Sequence, residues 1–71
     1  MPNIFSSKEI ISVIEKKGFI FISQKGSHGK YKDNNGHTAI IPVNKKEIPE
    51  GTFRSILKQA DLSLKEFKAA L

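Results

Sequence analysis

The sequence predicts a small α+β domain of two layers, in which helices cover one face of a three-stranded antiparallel sheet and leave the other face in water. Apolar residues recur at helical spacing near both ends of the chain. Between them, residues 19–43 are rich in β-branched and aromatic residues or alternate in polarity, and turn signals interrupt this segment twice. The predicted order is α-β-β-β-α with a further short helix, and so small a sheet needs helices against one face.

The first helix is expected to begin after Ser6 and to run to about Lys17. Ser6 and Glu9 have the spacing of a capping box, which satisfies two backbone donors at a helix start. Gly18 is a natural C-terminal stop. The apolar positions at helical spacing are Ile10, Ile11, Val13 and Ile14. We expect this stripe to face the core.

Three strands are predicted to follow, at residues 19–24, 28–33 and 37–43. Residues 25–27 separate the first two, and Asn34-Asn35-Gly36 favours a second hairpin turn because Asn and Gly tolerate positive φ. Alternation divides the second strand into one face with His28, Lys30 and Lys32 and another with Gly29, Tyr31 and Asp33. We expect Tyr31 to point into the core, and the histidine and the lysines to face water.

Two helices are predicted to close the chain. Pro49 is suited to the first turn of a helix, and Asp61-Leu62 ends the helical pattern. The apolar positions of this helix are Phe53, Ile56, Leu57 and Ala60. A second capping box, Ser63 with Glu66, starts a short last helix. Its residues Leu64, Phe67 and Leu71 are expected to pack back on the body.

Composition limits the chemistry that the chain can perform. It has 71 residues, no cysteine and two histidines, which disfavours thiol catalysis and a dedicated transition-metal cage. No segment is long and apolar enough to span a membrane, and the first residues lack the pattern of a signal peptide. We therefore expect one soluble, cytoplasmic domain, residues 1–71, that needs no metal or other cofactor.

The charge is strongly basic and unevenly placed. Twelve Lys and Arg against seven acids give a net charge of +5. Lysines 25, 30, 32, 45 and 46 lie in the meander and the loop after it, where Asp33 and Glu47 are the only acids between Gln24 and Ile48. Such clustering favours binding of a polyanion, nucleic acid above all, over the alternative that the charge serves solubility alone.

One histidine lies within this basic region, in the stretch Gly26-Ser27-His28-Gly29-Lys30-Tyr31. Because imidazole titrates near neutral pH, His28 is the candidate catalytic residue, and a solvated turn histidine is the alternative. For His37, beside Gly36, we expect only the solvated turn histidine. Tyr31 is expected to be a core aromatic rather than a base-stacking group.

Three features of the sequence together resemble the HicA toxins, and the resemblance covers nearly the whole chain. They are Gly26-Ser27-His28 with Tyr31, a third strand that ends in proline, and the run Gly51-Thr52-Phe53-Arg54-Ser55-Ile56-Leu57-Lys58-Gln59-Ala60. HicA toxins are small bacterial mRNA interferases with a double-stranded-RNA-binding-domain-like fold. The resemblance implies a metal-independent endoribonuclease with His28 as its catalytic residue. It also implies a HicB-type antitoxin as partner, mRNA as substrate and no DNA bound by this chain.

The candidate RNA-binding residues are Lys25, Gly26, Ser27, Lys30, Lys32, Lys45 and Lys46. The sequence departs from the family pattern at one position near these residues. Many HicA toxins have a histidine just after the proline that ends the third strand, whereas Val43-Asn44 follows Pro42 here. Two other functions stay open at this point: a non-catalytic RNA-binding module that uses the basic sheet face, and a basic face that serves only to dock a protein.

Overall fold

A computed structural model describes residues 4–71 of the chain, so the first three residues of the predicted 1–71 domain lie outside the described range. The elements are α1 (Ser7–Lys16), β1 (Ile20–Lys25), β2 (His28–Lys32), β3 (Thr38–Pro42), α2 (Glu50–Ala60) and α3 (Leu64–Ala69). The strands form one antiparallel sheet in the order β1-β2-β3. The predicted α+β class and the order α-β-β-β-α-α are confirmed, and the strand bounds differ from the prediction by at most one residue. None of the helices in the described range is long and apolar enough to cross a membrane.

Both predicted capping boxes are present. Ser6 Oγ accepts from the Glu9 backbone N–H at 3.1 Å, and the Ser6 N–H donates to Glu9 Oε1 at 2.9 Å. Ser63 and Glu66 repeat this exchange at the start of α3. The first helix ends as predicted, because Gly18 adopts a φ of +95°, which other residues rarely tolerate. Local sequence therefore determines where two of the three helices begin.

Three phenylalanines join parts of the chain that are distant in sequence. The rings of Phe5, Phe53 and Phe67 lie 4.9–5.0 Å apart between centroids, in tilted or edge-to-face pairs. Phe5 is held there by a backbone hydrogen bond from the Ile48 N–H at 2.9 Å. Of the three residues of the last segment expected to pack back on the body, Phe67 is fully buried and Leu64 is partly buried against the core, as predicted. The expectation is wrong for Leu71, which is 52% exposed because α3 ends before it.

The helices cover the sheet unevenly. Helices α1 and α2 pack against β3, whose Ala39 and Ile41 are fully buried, and Tyr31 of β2 is buried as predicted. All six residues of β1 are exposed. The expected coverage of one sheet face is therefore confirmed for β2 and β3 but wrong for β1, which extends beyond the helical layer.

One buried hydroxyl connects α1 to the loop that follows β3. Ser7 is 2% exposed, and its Oγ donates to the Pro42 carbonyl at 2.6 Å while accepting from the Lys45 N–H at 3.0 Å. The Ser7 N–H also donates to the Lys45 carbonyl at 2.9 Å. A single side chain thus satisfies two backbone groups and determines the path of residues 42–45.

We predict that Ser7→Ala lowers the free energy of unfolding by about 1–3 kcal/mol, because the Pro42 carbonyl and the Lys45 N–H each lose a partner in a partly buried position. Denaturant unfolding followed by circular dichroism measures this. The matched control is Ser12→Ala, an exposed serine of the same helix, which should leave the midpoint unchanged or raise it slightly. A Ser7→Ala midpoint equal to that of the unmodified chain would contradict the structural role of this hydroxyl.

Candidate functional site

The water-facing side of the sheet carries the predicted site. We call it the outer face, and the strand register places these residues on it: Ile20, Ser23, Lys25, His28, Lys30, Lys32, Thr38, Ile40 and Pro42. Its centre is β2, whose residues alternate between exposed and buried along the whole strand. The predicted division of β2 into a polar outer side and a buried inner side is confirmed.

A shallow depression surrounds His28 on the outer face. It is lined by Ser23, Lys25, His28, Lys30 and Ile40 and has a volume of about 510 Å³. We call it the His28 depression. Lys25 lies directly opposite His28 across the β1–β2 hairpin, and Lys30 is the next residue on the same side of β2. Cβ atoms of residues directly opposite one another are about 4.5–5.5 Å apart, so two ammonium groups can reach the space beside the imidazole.

Sequence reasoning did not include two residues of this depression, Ser23 and Ile40. Both are placed by register, since Ser23 on β1 and Ile40 on β3 are the Cα partners of Lys30. The signal was present in the sequence. A two-residue turn at Gly26-Ser27 pairs residues 25 and 28, and counting outward from that pair leads to residue 23.

Gly29 and the hairpin turn hold His28 in place. Gly26 adopts a φ of +59°, and the Ser27 carbonyl accepts from the Val43 N–H at 2.8 Å. Gly29 is buried, and a Cβ there would lie 3.1 Å from Tyr31 Cε1 and 3.2 Å from Val43 Cγ1. Absence of a side chain at this position lets β2 lie close to the end of β3, which sets His28 beside Pro42.

The other predicted lysines lie in two different places. Lys32 is on the outer face, opposite Ile20 and Thr38, and is two residues beyond Lys30. Lys45 and Lys46 line a second depression of about 530 Å³, together with Lys8 at the start of α1. The seven predicted RNA-binding residues therefore do not form one compact patch.

Asn44, which stands near the position of the second family histidine, is exposed and left-handed, with a φ of +60°. Asparagine tolerates this conformation better than most residues. The chain thus turns at Asn44, which is two residues beyond Pro42, the residue that pairs with His28.

The chain also matches a known protein family. The model of the HicA toxin of bacterial toxin-antitoxin systems matches residues 7–62, a range that includes His28, the whole sheet and α2. The chain belongs to the HicA toxin family. Membership makes it the toxin of a toxin-antitoxin pair, with an antitoxin as its partner. No curated protein matches the chain.

The second histidine of this HicA toxin is part of a hydrogen-bonded group. His37 Nδ1 lies 2.7 Å from Asp33 Oδ2, and the His37 backbone N–H donates to Asp33 Oδ1 at 2.8 Å. On the other side of the ring, Nε2 lies 3.8 Å from Oδ2 of Asp61, the left-handed residue that caps α2. The expectation of a merely solvated histidine is therefore wrong: Asp33 binds it at both the side chain and the backbone, and closes the second hairpin.

The two histidines lie near opposite ends of β2. Thr38, which follows His37, pairs with Lys32, and Lys32 is four residues along the strand from His28. At the rise of a β-strand this separation is roughly 13 Å. His37 therefore belongs to the hairpin closure and not to the His28 depression.

The ionisation of Asp33 and of Tyr31 reflects their surroundings. Partial burial opposes ionisation of Asp33, but hydrogen bonds from the His37 side chain and from the backbone N–H groups of His37 and Asn35 outweigh it and lower the pKa of the carboxyl. Burial, with the Glu15 carboxylate nearby, raises the pKa of the Tyr31 phenol. Tyr31 is thus a neutral core residue on the inner face, where its ring packs edge-on against Phe21 at 5.6 Å.

We predict an acid-side stability change from Asp33. A carboxyl with a lowered folded pKa stabilises the fold above its ordinary pKa of 3.8, and this stabilisation is lost as the pH falls through the folded value. Asp33→Asn should therefore lower the melting temperature at neutral pH and flatten its fall in acid, measured by thermal unfolding from about pH 7 to about pH 2.

The matched control for this prediction is Asp61→Asn, which makes the same change at a side chain that is 81% exposed. Its melting profile should stay close to that of the unmodified toxin. If the Asp33→Asn and Asp61→Asn profiles coincide, the hydrogen bonds to Asp33 do not contribute to stability.

Proposed function

We propose that this toxin is a metal-independent endoribonuclease that cleaves mRNA, with His28 as its catalytic residue and residues 1–71 as one toxin domain. The observation that supports this most directly is the placement of the exposed His28 between Lys25 and Lys30 on the outer face, in a member of the HicA family. The proposed partner that neutralises the activity is a HicB-type antitoxin. The proposed site of action is the cytoplasm, where mRNA is translated.

Cleavage of RNA without a metal requires two proton transfers and stabilisation of the negative charge on phosphorus. The 2′-hydroxyl oxygen of RNA attacks the adjacent phosphorus, and the bond from phosphorus to the 5′-oxygen breaks, which yields a 2′,3′-cyclic phosphate and a 5′-hydroxyl. One proton leaves the 2′-hydroxyl and one joins the departing 5′-oxygen. We propose that His28 performs one of these transfers and that a water molecule exchanges the other proton. DNA lacks the attacking hydroxyl and is not expected to be cut.

Lysines of the outer face supply positive charge beside the phosphate, where negative charge develops during cleavage. The phosphorane gains negative charge in the transition state, and ammonium groups held beside it stabilise that charge more than they stabilise the bound substrate. Lys25 and Lys30 line the His28 depression and are proposed for this role. Backbone N–H groups of Gly26 and Ser27 at the hairpin turn lie next to them and are proposed to bind phosphate.

The remaining lysines are proposed to hold the RNA on either side of the cleavage point. Lys32 extends the outer face along β2, whereas Lys45 and Lys46 line the second depression beside α1. An RNA strand that contacts both depressions would pass over Pro42, which pairs with His28. Counterion release at these contacts makes binding dependent on salt.

A second candidate function is a non-catalytic RNA-binding module. The observation that favours it is Asn44, exposed at the loop where many relatives carry a second histidine. If that second imidazole is required for cleavage, the same basic face would still bind RNA but not cut it.

We predict that His28→Ala lowers the rate of RNA cleavage by about 100-fold to 10,000-fold, the usual contribution of a positioned proton-transfer group, with little change in RNA affinity. The measurement is cleavage of a mixed single-stranded RNA in EDTA, followed on a denaturing gel, together with RNA binding by fluorescence anisotropy. The matched control is His37→Ala, which removes the other histidine and should keep cleavage as long as the fold is intact.

Two double variants separate catalysis from binding in the same experiment. Lys30→Ala with Lys32→Ala should weaken RNA binding and reduce its salt slope by about 2, whereas Lys65→Ala with Lys68→Ala, on α3, should change both only slightly. Binding that depends on Lys30 and Lys32 without any cleavage would establish the binding module instead. Cleavage that survives His28→Ala would refute the proposed catalytic residue.

A further inference from the structure

The edge strand β1 exposes an unusual run of large apolar side chains. Ile20, Phe21 and Ile22 are 63%, 52% and 46% exposed, and all three are consecutive. Ile22 has no Cα partner on β2, since the register shifts between Phe21 and Ser23. Ile20 lies on the outer face and Phe21 packs against Tyr31 on the inner face, while Ile22 stands at the register shift. We call these three residues the β1 patch. Apolar surface on a free sheet edge is normally covered or interrupted by charge, because it can recruit another strand.

The opposite edge of the sheet, formed by β3, is covered by a helix. On β3, the Ile40 backbone N–H donates to Gln59 Oε1 of α2 at 2.9 Å, and α2 packs along this strand. In residues 4–71, β1 pairs with β2 alone, and no helix packs along β1 as α2 does along β3. The β3 edge is thus covered by α2, whereas within residues 4–71 the β1 edge pairs with no further strand.

The charge around the β1 patch indicates the chemistry of that partner. Residues 16–32 contain five lysines and no acidic residue. Lys17 precedes the patch, Lys25 ends β1, and Lys32 pairs with Ile20. An extended segment with apolar residues against the patch and carboxylates at its ends would complement both features. A second copy of this chain would not, because each copy carries a net charge of +5 and the same lysines would approach each other.

We propose that the free edge of β1 binds an extended, acidic segment of the antitoxin as a fourth strand of the sheet. Main-chain hydrogen bonds along β1 supply affinity, the β1 patch supplies buried apolar area, and the flanking lysines select carboxylates. The added strand would lie next to Ser23 and Lys25, which line the His28 depression. The proposal rests on the partner that family membership implies and does not require that the toxin cleaves RNA.

The test uses the full chain and its cognate antitoxin, identified by neutralisation of toxicity on co-expression. Ile22→Lys places a charge in the β1 patch and should weaken antitoxin binding by about ten-fold or more in calorimetry, since a buried unpaired charge is costly. The matched control is Ile4→Lys, because Ile4 is also an isoleucine that is 46% exposed. It should bind as the unmodified toxin does. Ile20→Lys is the second variant if Ile22→Lys proves unstable.

Hydrogen exchange of the unmodified complex gives a readout that needs no variant. Alternate amides of residues 20–25, those that point away from β2, should exchange more slowly in the complex by about ten-fold or more if a strand is added. Equal antitoxin affinity for Ile22→Lys and Ile4→Lys, or unchanged exchange in β1, would overturn the proposal. Dimerisation of the free toxin that Ile22→Lys abolishes would also overturn it, in favour of a second copy as the occupant.

Failure of this proposal and failure of the proposed nuclease are distinguishable. Cleavage is measured without antitoxin, and Ile22→Lys should leave it unchanged because Ile22 does not line the His28 depression. Conversely, a toxin that binds RNA without cutting it should still show slowed exchange along β1 when its antitoxin is bound.

Discussion

The alternation of side chains along β2 is the constraint on which the rest of this structure depends. Tyr31 and Gly29 face the core, so His28, Lys30 and Lys32 must face water. A Cβ at Gly29 would lie only 3.1–3.2 Å from side-chain atoms of Tyr31 and Val43, which disfavours a shift of register that puts another residue there. A slip by one residue would bury two or three cations and expose the tyrosine. Core packing on one face therefore orients the charged residues on the other.

This constraint is local in sequence, which is why it could be predicted. The period of two in β2, the capping boxes at Ser6 and Ser63 and the turn at Asn34–Gly36 are each contained in a few neighbouring residues, and the structure confirms them. The region around His28 followed from the same pattern. Even Ser23 and Ile40, which were missed, could have been found by counting outward from the hairpin turn.

Three features could not be predicted from the sequence, because they depend on contacts between distant residues or on how much of the sheet the helices cover. Ser7 bonds to residues 35 and 38 positions away, and nothing around it marks it as more than a first-turn serine. His37 gains its role from the hydrogen bonds with Asp33, and its ring also lies 3.8 Å from the exposed Asp61 at the end of α2. The exposure of β1 accompanies the packing of α1 and α2 against β3, at the other side of the sheet.

The sheet thus offers two surfaces of different chemistry. The outer face combines an imidazole with ammonium groups and suits a phosphodiester. The β1 edge combines exposed apolar side chains with a strand that, within residues 4–71, pairs only with β2, and it suits a protein strand. They meet at Ser23 and Lys25, which belong to both. In the two proposals made above, one surface binds the target and the other binds the antitoxin, and one short hairpin contributes to both.

The most direct test of the outer face as a ribonuclease site is the chemistry of the RNA ends after incubation with the purified toxin in EDTA. Attack by the 2′-hydroxyl with His28 as a proton-transfer group predicts 2′,3′-cyclic phosphates and 5′-hydroxyls, and no cut where a single 2′-deoxynucleotide replaces the attacking one. Ends that carry a 5′-phosphate, or cleavage that EDTA abolishes, would contradict it.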